Sequence, residues 1–251
     1  MIYKKNKLTI DGFDIGTLVK KYKTPIYCYS DKKIKKNIQN FKNHFKNFNP
    51  LICYAVKANS NLGILKELKK NNLGADVVSK GELMKALKAG VNPKKIVFSG
   101  VGKINEEIEY AINKNILLIN AESKSEIFEI EKIAKKKRKI VNIGIRLNPN
   151  TDAKTLSQIS TGKKENKFGV NQKVFLKLVK FVKRSKNLYL KCLSVHIGSQ
   201  ILNHTPYQNM LNVISKIIKK SKYNFEYIDL GGGMGIDYDH RNSYLDFKKY
   251  S

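Results

Sequence analysis

Only three cysteines occur in the 251 residues, Cys28, Cys53 and Cys192, and their odd number and wide separation fit a reducing compartment better than a disulfide framework. Long apolar runs are missing as well. The longest aliphatic stretch is on the scale of Ile116-Leu117-Leu118-Ile119, far short of the ~18 residues a membrane-spanning helix needs, so no membrane association is expected. No apolar region follows the lysine-rich N-terminus, which gives no basis for a signal peptide and makes a cytoplasmic location the expectation. Arginine is scarce: Arg138, Arg146, Arg184 and Arg241 stand among 49 basic residues. Because bases and phosphates are read bidentately through the guanidinium, specific nucleic-acid recognition is not expected. Acidic residues number 20, leaving a net charge of +29 that would attract anionic small molecules. The densest run, Lys135-Lys136-Lys137-Arg138-Lys139, sits at a predicted helix end, where the backbone dipole favours cations. There is no H-x-x-x-H or C-x-x-C pattern, so no metal site is expected, and no nucleophile elbow supports Ser-His-Asp hydrolysis.

What is present is an alternation of short apolar runs and longer segments of helical period, with 41% hydrophobic residues to build a core. Strands are predicted at 51–57, 73–78, 96–99, 116–120, 141–147, 191–196 and 226–230. Ile34, Ile38, Phe41 and Phe45 form one apolar stripe of a lysine-rich helix. Ser79-Lys80-Gly81-Glu82 and Ser123-Lys124-Ser125-Glu126 are capping boxes that open helices, and others are predicted near 61–71, 105–114, 171–186 and 206–220. Strand, helix, strand with right-handed crossovers gives a parallel sheet, either an open doubly wound sheet or a (β/α)8 barrel lacking its eighth strand. The first 30 residues fall outside this repeat, with strand-like pieces at Lys7–Ile10 and Ile26–Tyr29.

Polar residues and glycines gather just after the strands, where parallel α/β folds build their sites. Lys57 ends the first strand; alone it reads as a surface lysine, but in an apolar barrel mouth its amine would become nucleophilic, as a Schiff-base lysine must be. Gly231, Gly232 and Gly233 follow the seventh strand and suit either a phosphate loop or a tight turn. His196 and Ser199 follow the sixth strand, where an imidazole can stack on a ring and a hydroxyl can donate to phosphate; a structural histidine is the other reading. Arg146 ends the fifth strand in a chain that otherwise avoids arginine, which singles out guanidinium geometry there. Asp76 and Glu82 flank the second strand and could orient the lysine or simply cap a helix.

In combination these segments resemble the diaminopimelate decarboxylases, within the alanine-racemase-like, fold type III, pyridoxal-phosphate-dependent group. The segments are YAVKANSN, GADVVSKGEL, FSGVGK, RLNPN with ISTGKKENKFGV, SVHIGSQI and DLGGGMGIDY, in order from about Thr24-Pro25 to Tyr238. The resemblance implies a TIM barrel of the (β/α)8 type over 31–251, preceded by a segment, 1–30, that would pack with a C-terminal β-domain. It implies pyridoxal 5'-phosphate on Lys57, with His196 stacked on its ring. Ser199, Gly231, Gly232 and Gly233 would hold its phosphate, and Asp76 and Arg146 would lie near the reacting carbon. The implied reaction converts the amino acid meso-2,6-diaminopimelate to L-lysine and CO2 in lysine biosynthesis, in a homodimer whose subunits complete each other's sites.

Family members continue with an eighth strand ending in a Glu-Pro-Gly-Arg-like motif, then a β-domain carrying a Cys-acid pair and a Tyr. None of these is found before Ser251, and Cys28, Cys53 and Cys192 do not lie where that cysteine would. The expectation is therefore a barrel without its eighth strand and β-domain, impaired in turnover. The alternatives are a non-catalytic pyridoxal-phosphate carrier barrel, or a related decarboxylase of ornithine, arginine or carboxynorspermidine.

Overall fold

The structure, a computed structural model, describes residues 2–4, 6–155, 159–163, 167–238 and 245–251. The chain divides into two units, Met1–Pro50 with Ser251, and Leu51–Tyr250.

In the first unit β1 (Ile2–Lys4), β2 (Lys7–Ile10) and β3 (Phe13–Asp14) form an antiparallel meander. Two helices follow, α1 (Ile15–Tyr22) and α2 (Asp31–Phe45). Ser30 starts α2 by accepting the Lys33 amide at 3.0 Å, while its hydroxyl donates to Asp11 Oδ1 at 2.6 Å. Lys7–Ile10 is the strand the sequence indicates. Ile26–Tyr29 is not: it has strand-forming side chains but pairs with no ladder, and a strand exists only by pairing.

The second unit contains seven parallel strands in sequential spatial order: β4 (Cys53–Ala55), β5 (Gly74–Val77), β6 (Ile96–Phe98), β7 (Leu118–Ala121), β8 (Val141–Arg146), β9 (Leu188–Ser194) and β10 (Tyr227–Asp229). Each overlaps a run read from the sequence, β9 starting three residues before the predicted 191–196. Between them lie α3 (Leu62–Lys70), α4 (Lys80–Lys88), α5 (Asn105–Asn113), α6 (Lys124–Lys136), α7 (Gln172–Arg184) and α8 (Thr205–Ser221), and α9 (Phe247–Tyr250) comes last. Both serines cap their helices, Ser79 Oγ accepting the Glu82 amide at 3.2 Å and Ser123 Oγ the Glu126 amide at 3.1 Å, while the glutamates reach back one residue beyond the cap, to the amides of Val78 and Glu122. Helix α6 then buries Ile127, Ile130, Ile133 and Ala134 on one stripe, each isoleucine stabilising the fold by about 1.5–3 kcal/mol.

The sheet is curled into a part-barrel rather than open. Strands β7 and β10 are separated by β8 and β9, so a flat sheet would hold them about 14 Å apart. Yet Asn120 of β7 donates to Asp229 of β10 at 3.1 Å. At the other end of the interior, Cys53 of β4 and Tyr227 of β10 pack on the same cluster of Val97, Leu117, Leu118 and Cys192. Burial pushes the Cys53 thiol up to about 12 and raises Cys192 as well, so both are unreactive packing groups. Among the described residues no eighth strand pairs with β4 or β10, and no helix is long and apolar enough to cross a membrane.

Candidate functional site

Each strand of the part-barrel carries a polar residue at or just beyond its C-terminal end, and because the strands are parallel all these ends lie on one mouth. Lys57 leaves β4 on a 3-10 turn, Val56–Ala58, and is exposed. Asp76 lies in β5, Ser99 directly follows β6, Asn120 lies in β7 and Glu122 directly follows it. Arg146 and Ser194 end β8 and β9, His196 follows two residues later, and Asp229 ends β10 before the glycines.

Four of these side chains run across the barrel as one chain of hydrogen bonds. Ser99 Oγ donates to Asp76 Oδ1 at 2.7 Å, and Asn120 Nδ2 reaches both Ser99 Oγ at 3.3 Å and Asp229 Oδ2 at 3.1 Å. Ser194 adds a second donor to Asp229 Oδ2 at 3.0 Å. Gly144 leaves room for this chain, since a Cβ there would lie 2.0 Å from Asn120 Oδ1. Burial pushes the Asp76 carboxyl up to about 6; Asp229 raises it further, while the Ser99 bond and the cations Lys57 and Arg146 pull it back. Lys57, Asp76 and Arg146 thus act on one another electrostatically.

Arg146 is nearly buried. Its Nη1 donates to Glu122 Oε1 at 2.9 Å, its Nη2 approaches the His196 carbonyl at 3.5 Å, and its guanidinium carbon lies 4.8 Å from the Phe168 ring centre. His196 is held through its carbonyl, which also accepts from Thr161 Oγ1 at 2.7 Å. Its Nδ1 is buried without a well-formed hydrogen bond, beside the Gly231 backbone, whose amide donates to Asp229 Oδ1 at 2.9 Å. Burial, with Arg146 and Lys57 nearby, pushes the imidazole down to about 4, so it is neutral at pH 7.

The glycines have positive φ of 71° (Gly231), 72° (Gly232) and 83° (Gly233). A Cβ on Gly233 would lie 1.9 Å from the Gly198 carbonyl, and one on Gly231 2.3 Å from that of Val195. Ser199 sits near this loop, since its neighbour Gly198 packs against Gly233 and Ile201, two residues on, donates to the Gly233 carbonyl at 3.0 Å. Among the described residues, the Ser199 hydroxyl, the Lys57 amine and the amides of Gly232 and Gly233 make no hydrogen bond. An exposed amine, a neutral imidazole with an orphaned nitrogen and a concave loop of unused amides suit an anionic aldehyde ligand such as pyridoxal phosphate.

The structure brings together Lys57, Asp76, Arg146 and His196 electrostatically, and sets Ser199 beside Gly231, Gly232 and Gly233. Glu82 is a helix cap: its Oε2 accepts the Val78 amide at 3.0 Å. Of the motif ISTGKKENKFGV, Lys164, Glu165 and Asn166 lie outside the described residues. Sequence reasoning gave no role to Ser99, Asn120, Glu122 or Asp229. Their common signal is a polar residue at the end of an apolar strand, as in Ile116–Asn120, where both faces of a parallel sheet are buried.

The family described as pyridoxal-dependent decarboxylase, pyridoxal binding domain, matches residues 31–251. A diaminopimelate decarboxylase of Helicobacter pylori (strain J99) is 46% identical over 234 residues, 92% of this chain and 58% of that protein. The crystal structure of diaminopimelate decarboxylase from H. pylori complexed with L-lysine has a TM-score of 0.91 at 44% identity, covering 94% of this chain and 61% of that one. Another from M. jannaschii, also in complex with L-lysine, has a TM-score of 0.90 at 35% identity, covering 98% of this chain and 59% of that one. This chain therefore spans about 60% of the length of the relatives it matches.

Proposed function

We propose a function from one premise: the chain belongs to the pyridoxal-dependent decarboxylases, through their pyridoxal-binding domain. It is the cofactor-holding barrel of a diaminopimelate decarboxylase, a carboxy-lyase that converts meso-2,6-diaminopimelate to L-lysine and CO2 in lysine biosynthesis. The observation that carries this reading is the meeting of an exposed Lys57 amine, a neutral His196 and an open glycine loop at one barrel mouth.

Bound pyridoxal 5'-phosphate supplies a sink for the electron pair left behind when a carboxylate departs as CO2. Lys57 is the amine that holds the cofactor, on a turn that projects it from the end of β4. Ser199 and the amides of Gly232 and Gly233 hold the phosphate, with Gly231 shaping the approach. His196 offers an uncharged ring for stacking, and at pH 7 it does not add a third cation beside Lys57 and Arg146. Asp76 is mostly ionised at pH 7; its Oδ1 is engaged by Ser99, and its charge is favoured by Lys57 and Arg146 nearby. Arg146 adds positive charge on the side of the mouth facing Asp76 and suits an anionic substrate or cofactor group.

The segment 1–30 packs with a β-domain, and the barrel strands lie within the second unit, Leu51–Tyr250. Two copies form a homodimer, a reading supported by the exposed apolar residues Val101, Ile104, Leu202 and Ile236 on loops after the strands. Free thiols at Cys28, Cys53 and Cys192 support a cytoplasmic location, and the scarcity of arginine argues against a specific nucleic-acid partner. The test is release of labelled CO2 from carboxyl-labelled meso-diaminopimelate with added pyridoxal phosphate, with Lys57→Ala as the blank. Release above the blank, and faster than from ornithine or arginine, is expected. Equal release from all three would remove the substrate assignment, and cofactor uptake without release from any would favour a carrier.

A further inference from the structure

Two motifs, FSGVGK (98–103) and KFGV (167–170), lead to the same carboxylate, and of their residues the function above uses only Ser99. Glu122 is 4% exposed. Its Oε1 accepts Arg146 Nη1 at 2.9 Å and the Gly100 amide at 3.1 Å, and its Oε2 accepts the Gly169 amide at 3.3 Å. Its own amide donates to Glu126 Oε2 at 2.8 Å, so it is also tied to the capping box of α6. The other oxygen of Glu126 pairs with the fully buried amine of Lys103 at 2.7 Å, and that amine also bonds the Gly100 carbonyl. Two acids and two cations therefore share one network in which the formal charges cancel. Such a network binds three loops, those after β6, β7 and β8.

The consequence falls on Arg146. A guanidinium has five donors in a fixed fork, so committing one edge decides where the rest can point. Here Nη1 is committed to Glu122 and one face to Phe168, while the charge still acts on Asp76 and His196. We propose that Glu122 is a positioning residue, holding Arg146 in the one orientation that serves the pyridoxal site and tying the loops of Gly100 and Gly169 to it. This inference rests on the pyridoxal reading of the mouth. An ion pair with a purely structural role would change stability alone; a positioning pair changes ligand affinity, and does so only through Arg146.

The test is a double-mutant cycle on pyridoxal phosphate affinity, followed by absorbance, in the wild type, Glu122→Gln, Arg146→Lys and the double variant. A Gln keeps the volume but offers an amide where Gly169 needs an acceptor. Glu122→Gln should weaken binding about tenfold or more, the scale of one hydrogen bond to a charged group, in protein that circular dichroism reports as folded. In the Arg146→Lys background the same change should cost less than about twofold, since the fork is already gone. Equal losses in both backgrounds, or none in Glu122→Gln, would overturn the proposal. Should Glu122→Gln not fold, Glu122→Asp keeps the charge and shortens the reach, with the same outcomes. A ligand-free readout separates this from failure of the pyridoxal reading. The guanidinium of Arg146, assigned by loss of its signal in Arg146→Lys among only four arginines, should exchange slowly in the wild type and fast in Glu122→Gln. If the wild type takes up no pyridoxal phosphate, the proposed function fails, and this exchange alone decides whether Glu122 holds Arg146.

Discussion

The Asn120 amide donates to Asp229 Oδ2 over 3.1 Å although two strands lie between theirs. The bond forms only because the sheet is curled, and it closes the hydrogen-bonded chain from Asp76 to Ser194 that floors the mouth. Among the described residues Asn120 is the side chain that links Ser99 to Asp229, and Asn120→Ala removes it. A stability loss of about 1–3 kcal/mol in urea unfolding is expected, the usual cost of stranding buried polar groups. An unchanged unfolding midpoint would mean that the chain of bonds does not hold the curl.

The glycine loop separates conformational strain from steric exclusion. Gly232 and Gly233 have similar positive φ, 72° and 83°. A Cβ on Gly232 meets nothing nearer than Met234 Cε at 3.8 Å, whereas one on Gly233 lies 1.9 Å from the Gly198 carbonyl. Gly232→Ala should cost about 1 kcal/mol, from φ alone. Gly233→Ala should cost clearly more and displace the segment bearing Ser199, so its pyridoxal phosphate affinity should fall further. Equal effects in thermal unfolding would contradict the steric argument.

The two buried titrating groups of the mouth carry opposite pH signatures. The Asp76 carboxyl rises from an ordinary 3.8 to about 6, so between these values the folded state holds the proton and stability falls as pH rises. The His196 imidazole drops from 6.5 to about 4, so between these values the unfolded state holds the proton and stability rises with pH. In wild type the two largely cancel between about pH 4 and 6. Relative to wild type, Asp76→Asn should gain stability as pH rises over that window, and His196→Gln should lose it. Urea midpoints measured at pH 4.5 and 6 for the three proteins check both signs, and parallel lines would refute the two environments.

The seven strands were legible because each is a short apolar run after a helix, and the two helix starts because Ser79 and Ser123 are local caps, although their glutamates bond one residue further back than a capping box requires. Curvature was not legible, since it depends on pairs such as Asn120 and Asp229, 109 residues apart, that no local pattern couples. Lys57, His196 and the glycines could be picked out because each stands at a strand end within a recognisable motif. Glu122 stood at a strand end too, but a single glutamate before a capping box reads as part of the cap. Its role appears only when β8 brings Arg146 against it. Ile26–Tyr29 misled in the opposite way, with strand-forming side chains and no neighbour to pair with.

The most direct test of the pyridoxal site is borohydride reduction of the protein with added pyridoxal phosphate, followed by peptide mapping. A single stable label on Lys57, absent in Lys57→Ala, with that variant's thermal stability unchanged because the side chain is exposed, is the expected result. A label spread over surface lysines, or one retained in Lys57→Ala, would contradict the assignment of this mouth as the cofactor site.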